Sequence, residues 1–225
     1  MAKMRNSLIR GVIAVWCLTY PAFGGPAPFP VIQSIGKFSD SDLKGWEPEH
    51  FVGETRYRLT ASRSGVQVLC AESWKAASGL IREIRVDLNQ TPFLNWSWQI
   101  EKAFVRNDEK TKQGDDYPAR VYVVIDDGPF FWQTKALNYV WAGRASPGSL
   151  WVSPYISDNV RLIAVESGNA RTGAWRHEKR NVMNDLKRAF GRSIGQIDAV
   201  AIMTDTDNTQ NRAKACYGDI FFSAN

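Results

Sequence analysis

Hydrophobic and polar residues alternate with a period of two along much of this chain. In the clearest run, residues 94–100, large apolar side chains fall on one face and polar side chains on the other. Such alternation is typical of a half-buried β-strand. Comparable runs bounded by turn-forming residues predict strands at 55–61, 66–71, 84–88, 121–125, 137–142, 160–165, 197–204 and 217–223. Within residues 175–191 apolar residues instead recur at every fourth position, which predicts one short amphipathic helix ending at Gly191.

These elements predict an all-β protein. About nine or ten short strands, regular turn signals and a single helix favour an antiparallel β-sandwich or jelly roll. Residues 25–225 are expected to form one domain, because roughly 200 residues can bury a single core and no linker divides them. Residues 121–125 are apolar on both faces, which predicts a strand that is buried on both sides in the middle of a sheet.

Residues 1–24 are predicted to be a secretory signal peptide. Basic residues without any acid precede an apolar stretch that is too short to span a bilayer. Small residues at Ala22 and Gly24 fit a cleavage site, so we expect the mature chain to begin near Gly25. The protein is therefore expected in the periplasm or outside the cell, with no transmembrane segment in the mature chain.

The charge of the mature chain gives little reason to expect a nucleic-acid partner. Without the leader, 25 basic residues stand against 23 acidic ones, so the net charge falls from +5 to +2. Nucleic-acid binding requires a concentrated basic face, and the sequence contains none.

Cys70 and Cys216 remain after removal of the leader; Cys70 falls inside the strand predicted at 66–71, and Cys216 directly precedes the one predicted at 217–223. In an oxidising compartment an even pair of cysteines favours a disulfide. Strand cysteines also pack well as small apolar residues, so two buried, reduced cysteines are the alternative.

The loop before strand 121–125 contains the strongest local cluster of charge. Asp115 and Asp116 precede Arg120, which would lie at the rim of the sheet, where loops carry function. In the structural interpretation one carboxylate binds Arg120 bidentately and the other caps the loop. The same residues are candidates for ligand binding, and paired carboxylates also serve in glycoside hydrolysis. Neighbouring side chains of an extended chain point apart, which disfavours a catalytic pair.

Four aromatic residues surround a second loop, and they are candidate ligand-binding residues: Tyr139, Trp141, Trp151 and Tyr155. If exposed, they would make a stacking surface for pyranose rings, and if buried, they would be core at one end of the sandwich.

Residues 204–209 are rich in oxygen donors, a composition found in calcium-binding loops. Asp205 and Asp207 are candidate metal ligands, with Asp219 in the final predicted strand as a third. The loop does not match the EF-hand pattern, and turn-forming Asx side chains explain it equally well. Calcium is thus one of two interpretations, and no other cofactor is predicted.

A family resemblance covers nearly the whole mature chain. It rests on Gly-Asp-Asp-Tyr-Pro-Ala-Arg-Val-Tyr-Val at 114–123, Tyr-Val-Trp-Ala at 139–142, Ser-Pro-Tyr at 153–155, Ala-Ile-Met-Thr-Asp-Thr-Asp-Asn-Thr at 201–209 and Tyr-Gly-Asp-Ile at 217–220. Together these motifs look like an uncharacterised family of exported bacterial proteins known only as a domain of unknown function (family 3047). The resemblance implies export and brings no activity, substrate or catalytic residue. The order of elements in the final third is also similar to galactose-binding-like jelly rolls, a likeness of fold that does not imply function.

Three classes of function fit these observations. The leading hypothesis is a non-catalytic β-sandwich that binds a carbohydrate or another glycan-like polymer of the cell envelope. The rival is an enzyme that acts on such a polysaccharide with aspartate and arginine residues. The third is a structural interaction domain without a small ligand. A groove with two carboxylates about 5–10 Å apart would favour glycoside hydrolysis, whereas an aromatic surface without acids would favour binding.

Overall fold

The protein is described here by a computed structural model that covers residues 31–128, 134–156 and 158–225. The predicted signal peptide, residues 1–24, lies outside the described residues. Along the described chain the elements are β1 (Ile32–Gly36), a 3-10 helix (Phe38–Asp40), β2 (Glu47–Val52), β3 (Arg56–Ala61), β4 (Gln67–Trp74), β5 (Ala77–Asp87), β6 (Phe93–Ile100), a 3-10 helix (Lys112–Gly114), β7 (Arg120–Ile125), β8 (Lys135–Ala142), β9 (Leu150–Val152), β10 (Val160–Ser167), β11 (Arg176–Asn181), α1 (Val182–Phe190), β12 (Gln196–Asp205), β13 (Arg212–Tyr217) and β14 (Ile220–Ser223).

Two seven-stranded sheets form a sandwich. The first sheet has the order β1-β14-β6-β13-β4-β3, and β11 pairs with β6 along the edge that β13 and β14 leave free. The second sheet has the order β2-β5-β12-β7-β8-β10-β9. Strand pairs are antiparallel, with β8 and β10 as the parallel exception among the described strands. The predicted all-β antiparallel sandwich with one short helix is confirmed.

The apolar face of β6 supplies one wall of the core, as its alternation predicts. The four side chains of that face are buried: Leu94, Trp96, Trp98 and Ile100. The ring centroid of Trp96 lies 5.4 Å from that of Tyr139 across the sandwich, and the centroid of Trp98 lies 5.9 Å from that of Trp141. The two tryptophans of β6 are therefore core residues.

Strand β7 is the fourth of seven strands in its sheet, in the middle as predicted. Val121, Val123 and Ile125 are buried between the sheets. Tyr122 and Val124, on the other face, are partly exposed. The prediction that this strand is buried on both sides is therefore wrong for its outer face.

The predicted helix is shorter than expected because its first half is a strand. Residues 176–181 form β11, and the helix begins only at Val182, after Asn181. The Asn181 side chain accepts a hydrogen bond from the Asn184 N–H at 3.0 Å, which caps the helix. The helix ends at Gly191, which has a left-handed φ of 72°, as predicted. No helix among the described residues is long and apolar enough to cross a membrane.

Strand β11 carries charged side chains toward the inside of the sandwich. Arg176 Nε donates to Glu166 at 2.7 Å, and Arg180 forms a bidentate pair with Asp185. These ion pairs close the side of the core next to β11. Inward-facing charge on a strand at the edge of a sheet also discourages pairing with another chain.

The last described strand, β14, lies beside the first, β1, and a disulfide joins β4 to β13. The strand predicted at 217–223 is observed as β14, which begins only at Ile220, whereas Tyr217 is the last residue of the separate strand β13. Strand β14 pairs with β1. Strand β13 pairs with β4 and places Cys216 directly opposite Cys70. Their Cα atoms are 4.0 Å apart, and a disulfide connects them. Both cysteines are half-buried on the outer face of the sheet, not within the core.

Candidate functional site

Arg120, the first residue of β7, lies in a polar cluster at one end of the second sheet. Its side chain is only 6% exposed. The guanidinium binds Asp205 bidentately: Nε donates to Oδ1 at 2.8 Å, and Nη2 donates to Oδ2. Nη2 also donates to the backbone carbonyl of Asp115 at 2.6 Å, and the guanidinium lies 4.3 Å from the ring centroid of Tyr117. Arg120 thereby ties the start of β7 to the end of β12.

The bidentate partner of Arg120 differs from the one predicted. Asp115 approaches the guanidinium only weakly, with Oδ2 3.9 Å from Nη1, and in the described structure no hydrogen bond or ion pair joins Asp116 to it. Asp205, a candidate metal ligand in the sequence, takes the role instead. The pairing of β7 with β12 sets Arg120 opposite Met203, close to Asp205, and no local pattern predicts this pairing.

Asp116 caps a loop, as expected of one of the two carboxylates, but that loop is distant in sequence. Its Oδ1 accepts from the Asn208 N–H at 3.1 Å, and its Oδ2 accepts from the Thr209 N–H at 2.6 Å. Asp116 therefore joins the approach to β7 to the oxygen-rich loop that follows β12.

The cluster carries more negative charge than its guanidinium neutralises. Burial raises the pKa of Asp205 to about 7, against the opposing effect of Arg120. Burial also raises the pKa of Asp115, and Arg120 lowers it in part. For Asp207, burial and then the charge of Asp116 raise the pKa. The pKa of Arg120 is itself raised by Asp205 despite its burial, so the guanidinium stays charged.

A buried glutamate that the sequence analysis missed holds the loop in front of this cluster. The Tyr117 hydroxyl donates to the Glu109 carbonyl at 3.0 Å. The Glu109 carboxylate accepts from the backbone N–H groups of residues 143–145, with the first at 2.8 Å. A glutamate inside a polar stretch gives no local sign of such a role.

The aromatic residues predicted to bind a ligand do not form one surface. Tyr139 and Trp141 are fully buried, and Trp151 is almost so. Tyr139 and Trp141 pack against Trp96 and Trp98 of the first sheet, and Trp151 belongs to a second buried cluster with Val140 and Leu162. Core packing is therefore the correct interpretation for these three residues. Tyr155 is 50% exposed, and its hydroxyl donates to Asn208 Oδ1 at 2.9 Å beside the acidic cluster.

The three predicted metal ligands are also separated. Asp205 and Asp207 lie together with Asp116, each offering an oxygen within 4.8 Å of the others. Asp219 is not part of that group. It lies in the turn before β14, and its carboxylate accepts from the N–H of Ser39 at 2.8 Å and from the Ser39 hydroxyl.

A groove lies on the outer face of the first sheet and is here called the outer groove. It has a volume of about 590 Å³, within the range of small-molecule sites. Its floor is formed by β6 and β14, one wall by β11 and the residue before it, and the other wall by the β3–β4 turn. The principal side chains are Gln67, Asn95, Ser97, Trp175, His177, Lys179 and Phe221.

Strand register explains how these residues meet. The pairing of β11 with β6 sets His177 opposite Ser97 and Lys179 opposite Asn95, so all four share the outer face. A Cβ atom at Gly218 would lie 2.2 Å from Ser97 Oγ, so the glycine keeps the floor open beside that hydroxyl.

Several polar side chains in the outer groove are not used by the fold. Gln67, Ser97 and His177 make no side-chain hydrogen bond with the rest of the described chain. Asn95 Nδ2 donates to the Phe93 carbonyl at 3.0 Å, which holds the side chain in place and leaves its Oδ1 without a protein partner among the described residues. The groove therefore offers donors and acceptors to a ligand.

The carboxylates beside the groove are already engaged. Glu178 accepts from the Trp98 indole N–H at 3.1 Å, and burial raises the pKa of Glu178. Both oxygens of Asp219 accept from Ser39. The groove thus combines free amide, hydroxyl and imidazole groups with carboxylates that other residues hold.

The outer groove was not predicted from the sequence, although one signal was present. The polar positions of β6, among them Asn95 and Ser97, follow from the same alternation that identified its tryptophans. The wall formed by Trp175 and His177 was not predicted, because residues 175–191 were assigned to the helix.

Comparison with known proteins identifies a family. The family model described as "Protein of unknown function (DUF3047)" matches residues 44–221. No curated protein is significantly similar in sequence.

Among solved structures, the chain is similar to the glycoside hydrolase domain of Endo-D from Streptococcus pneumoniae. The identity is 12% and the TM-score 0.41, over 80% of this chain but only 22% of that one. It is similar to the family 11 carbohydrate-binding module of a cellulosomal cellulase of Clostridium thermocellum, with 7% identity, coverage of 88% and 95%, and a TM-score of 0.46. A third is TmCBM61 in complex with β-1,4-galactotriose, with 10% identity, coverage of 83% and 94%, and a TM-score of 0.39. These likenesses concern the fold alone.

Proposed function

The chain belongs to this family of proteins of unknown function, and we propose that it binds carbohydrate in the outer groove. One observation carries the proposal: Trp175 and Phe221 line a groove in which Gln67, Ser97 and His177 have no partner within the described chain. Aromatic rings and unengaged polar groups are thereby gathered in one concave site.

The chemistry of the groove suits a sugar. A pyranose ring has an apolar face that packs on an aromatic side chain, and Trp175 and Phe221 supply such surfaces. Sugar hydroxyls both donate and accept hydrogen bonds, which matches the amide of Gln67 and the hydroxyl of Ser97. Asn95 Oδ1, oriented by the bonds of its Nδ2, adds a fixed acceptor.

The arrangement supports binding over hydrolysis. Glycoside hydrolysis uses two carboxyl groups that flank the scissile bond. Next to the outer groove, the Glu178 side chain points inward and accepts from Trp98, and both oxygens of Asp219 accept from Ser39. Arg120, the candidate for steering an anionic substrate, is buried and paired with Asp205.

The ligand class follows from the predicted compartment. With a signal peptide at residues 1–24, the protein would act in the periplasm or outside the cell. Polymers of the cell envelope and extracellular polysaccharides are the glycans available there. We therefore propose both envelope polymers and extracellular polysaccharides as ligand classes.

The test is a glycan array probed with the mature domain, residues 25–225, and covering envelope polymers and plant and bacterial polysaccharides. Positive glycans are then titrated by calorimetry against the wild type and Trp175→Ala. Because the substitution removes the stacking surface, we expect the affinity to fall at least about tenfold, or about 1.4 kcal/mol.

Trp74→Ala is the matched control, since Trp74 is 59% exposed on the same sheet but outside the groove. It should bind like the wild type. Equal affinities of Trp175→Ala and Trp74→Ala would place the binding surface elsewhere, and a domain that binds no glycan would overturn the proposal.

A further inference from the structure

Four carboxylates converge where β7 begins and β12 ends. They belong to Asp115, Asp116, Asp205 and Asp207. Within the described part of the chain, Arg120 is the cation that pairs with them. A single guanidinium cannot neutralise four carboxylates, and burial of unpaired charge is unfavourable. The cluster therefore has an excess of negative charge.

The oxygen atoms are close enough to share an ion. Asp116, Asp205 and Asp207 each have a carboxylate oxygen within 4.8 Å of the other two. Like charges at this distance repel unless a proton or a cation lies between them. Asp207 is only partly buried, so an ion can reach the cluster from solvent.

A second, independent observation also indicates a ligand. Asp115 Oδ1 is buried and has no hydrogen-bond partner in the described structure, and the whole side chain is only 9% exposed. A buried acceptor left unpaired carries its full desolvation penalty. Asp115 directly precedes Asp116, and its Oδ2 lies 3.9 Å from the guanidinium that binds Asp205, so its carboxylate lies beside the same group of oxygens.

We propose that Asp116, Asp205 and Asp207 hold a divalent cation, calcium, with the carboxylate of Asp115 beside them. Calcium prefers oxygen ligands and tolerates irregular geometry, with water and carbonyl oxygens completing its shell. The donor set holds no nitrogen or sulfur, which disfavours zinc and copper. Asp205 stays bound to Arg120, and Asp219, predicted from the sequence as a ligand, has no part in the site.

This inference does not depend on the carbohydrate proposal. The cluster joins the approach to β7 with the loop after β12, so the ion would stabilise those two segments. Calcium binding and glycan binding are measured separately, and the failure of one leaves the other intact.

The experiment uses the mature domain, residues 25–225, treated with EDTA, dialysed and melted with and without about 1 mM CaCl2. An ion that binds only the folded state stabilises it by mass action, so calcium at about 100 times its Kd should raise the Tm by about 5–10 °C. Calorimetric titration with CaCl2 should give one ion per chain, and MgCl2 should have a smaller effect because magnesium requires stricter geometry.

Asp207→Asn is the test variant, because Asp207 is partly exposed and accepts one hydrogen bond, from the Asn208 side chain. It should fold and lose the calcium-dependent rise in Tm. Asp40→Asn removes the same charge from an exposed position outside the cluster and should keep the rise. A wild-type Tm that calcium leaves unchanged would overturn the proposal, as would equal calcium responses of Asp207→Asn and Asp40→Asn.

Discussion

Arg120 shows how one side chain can organise several loops. Its guanidinium reaches Asp205 on β12, the carbonyl of Asp115 and the ring of Tyr117. A planar fork of donors can satisfy these partners together, which the single ammonium of a lysine cannot do. Arg120 thus positions the loop before β7 against the end of β12. Because it is buried, it cannot contact a polymer.

We predict that Arg120→Ala lowers the free energy of unfolding by about 3–5 kcal/mol, because Asp205 would remain buried without its partner. Arg120→Lys should recover little of the loss, since lysine retains the charge but not the fork. Urea unfolding monitored without added divalent cations measures both. Arg63→Ala, at an exposed position in the β3–β4 turn, should change stability by no more than about 0.5 kcal/mol. An Arg120→Ala variant as stable as Arg63→Ala would show that the bidentate pair does not hold the cluster.

Glu178 gives a prediction of pH dependence. Burial raises its pKa, so the folded state binds its proton more tightly than the unfolded state. The associated stability is fully present below the ordinary pKa of glutamate and is lost as the pH rises through the folded-state pKa. Glu178→Gln removes this titration and can still accept from the Trp98 indole. The free energy of unfolding of the variant, minus that of the wild type, should therefore be higher at pH 7.5 than at pH 4.

Urea midpoints of both proteins at the two pH values test this expectation. The quantity compared is the difference in the free energy of unfolding between variant and wild type, because contributions from other titrating groups cancel in that difference. A difference that stays constant, or that changes in the opposite direction, would contradict the assigned rise in pKa.

At the scale of elements, the polar stretch between β6 and β7 is fixed by a buried carboxylate. Glu109 accepts hydrogen bonds from three successive backbone N–H groups at residues 143–145. Hydrogen bonds to a charged acceptor are stronger than neutral ones. This contact connects the stretch to the end of β8 and holds the loop that carries Tyr117.

Glu109→Ala should therefore destabilise the protein by about 2–3 kcal/mol, since three N–H groups lose a charged acceptor. Amide exchange should quicken at residues 102–117 and 143–145. Glu101→Ala is the control, because the Glu101 side chain is exposed and makes no hydrogen bond in the described structure. Equal unfolding free energies of the two variants would argue against an anchoring role.

For the whole molecule, the disulfide between Cys70 and Cys216 links residues 146 positions apart. It connects β4 to β13. The strand after β13, β14, pairs with β1, the first described strand. A cross-link over so long a segment mainly restricts the unfolded chain. Both cysteines lie on the outer face, so their replacement leaves the core unchanged.

Replacement of both cysteines by serine should lower the free energy of unfolding by about 2–5 kcal/mol. For a domain of this size the Tm should fall by about 4–20 °C. Thermal melts of the double variant and of the wild type treated with a reductant measure the effect, and the two should agree. A free-thiol count of two in exported protein would show that the disulfide does not form.

The strands and the end of the helix follow from the sequence because their signals are local. Alternation is set by strand geometry, and it correctly identified β6 and its core face. The spacing of apolar residues and Gly191 located the helix end. The segment that became β11 has no apolar face, so its strand form depends on hydrogen bonds to β6 and could not be read from its own residues.

Tertiary structure decided which distant groups meet. Arg120 and Asp205 are 85 residues apart, and the outer groove combines residues from β4, β6, β11 and β14. Tyr139 and Trp141 resemble a binding surface in the sequence, but they are buried because Trp96 and Trp98 of the first sheet pack against their face of β8. Side-chain periodicity is fixed by the local backbone, whereas strand pairing and burial depend on contacts between segments that the sequence order keeps apart.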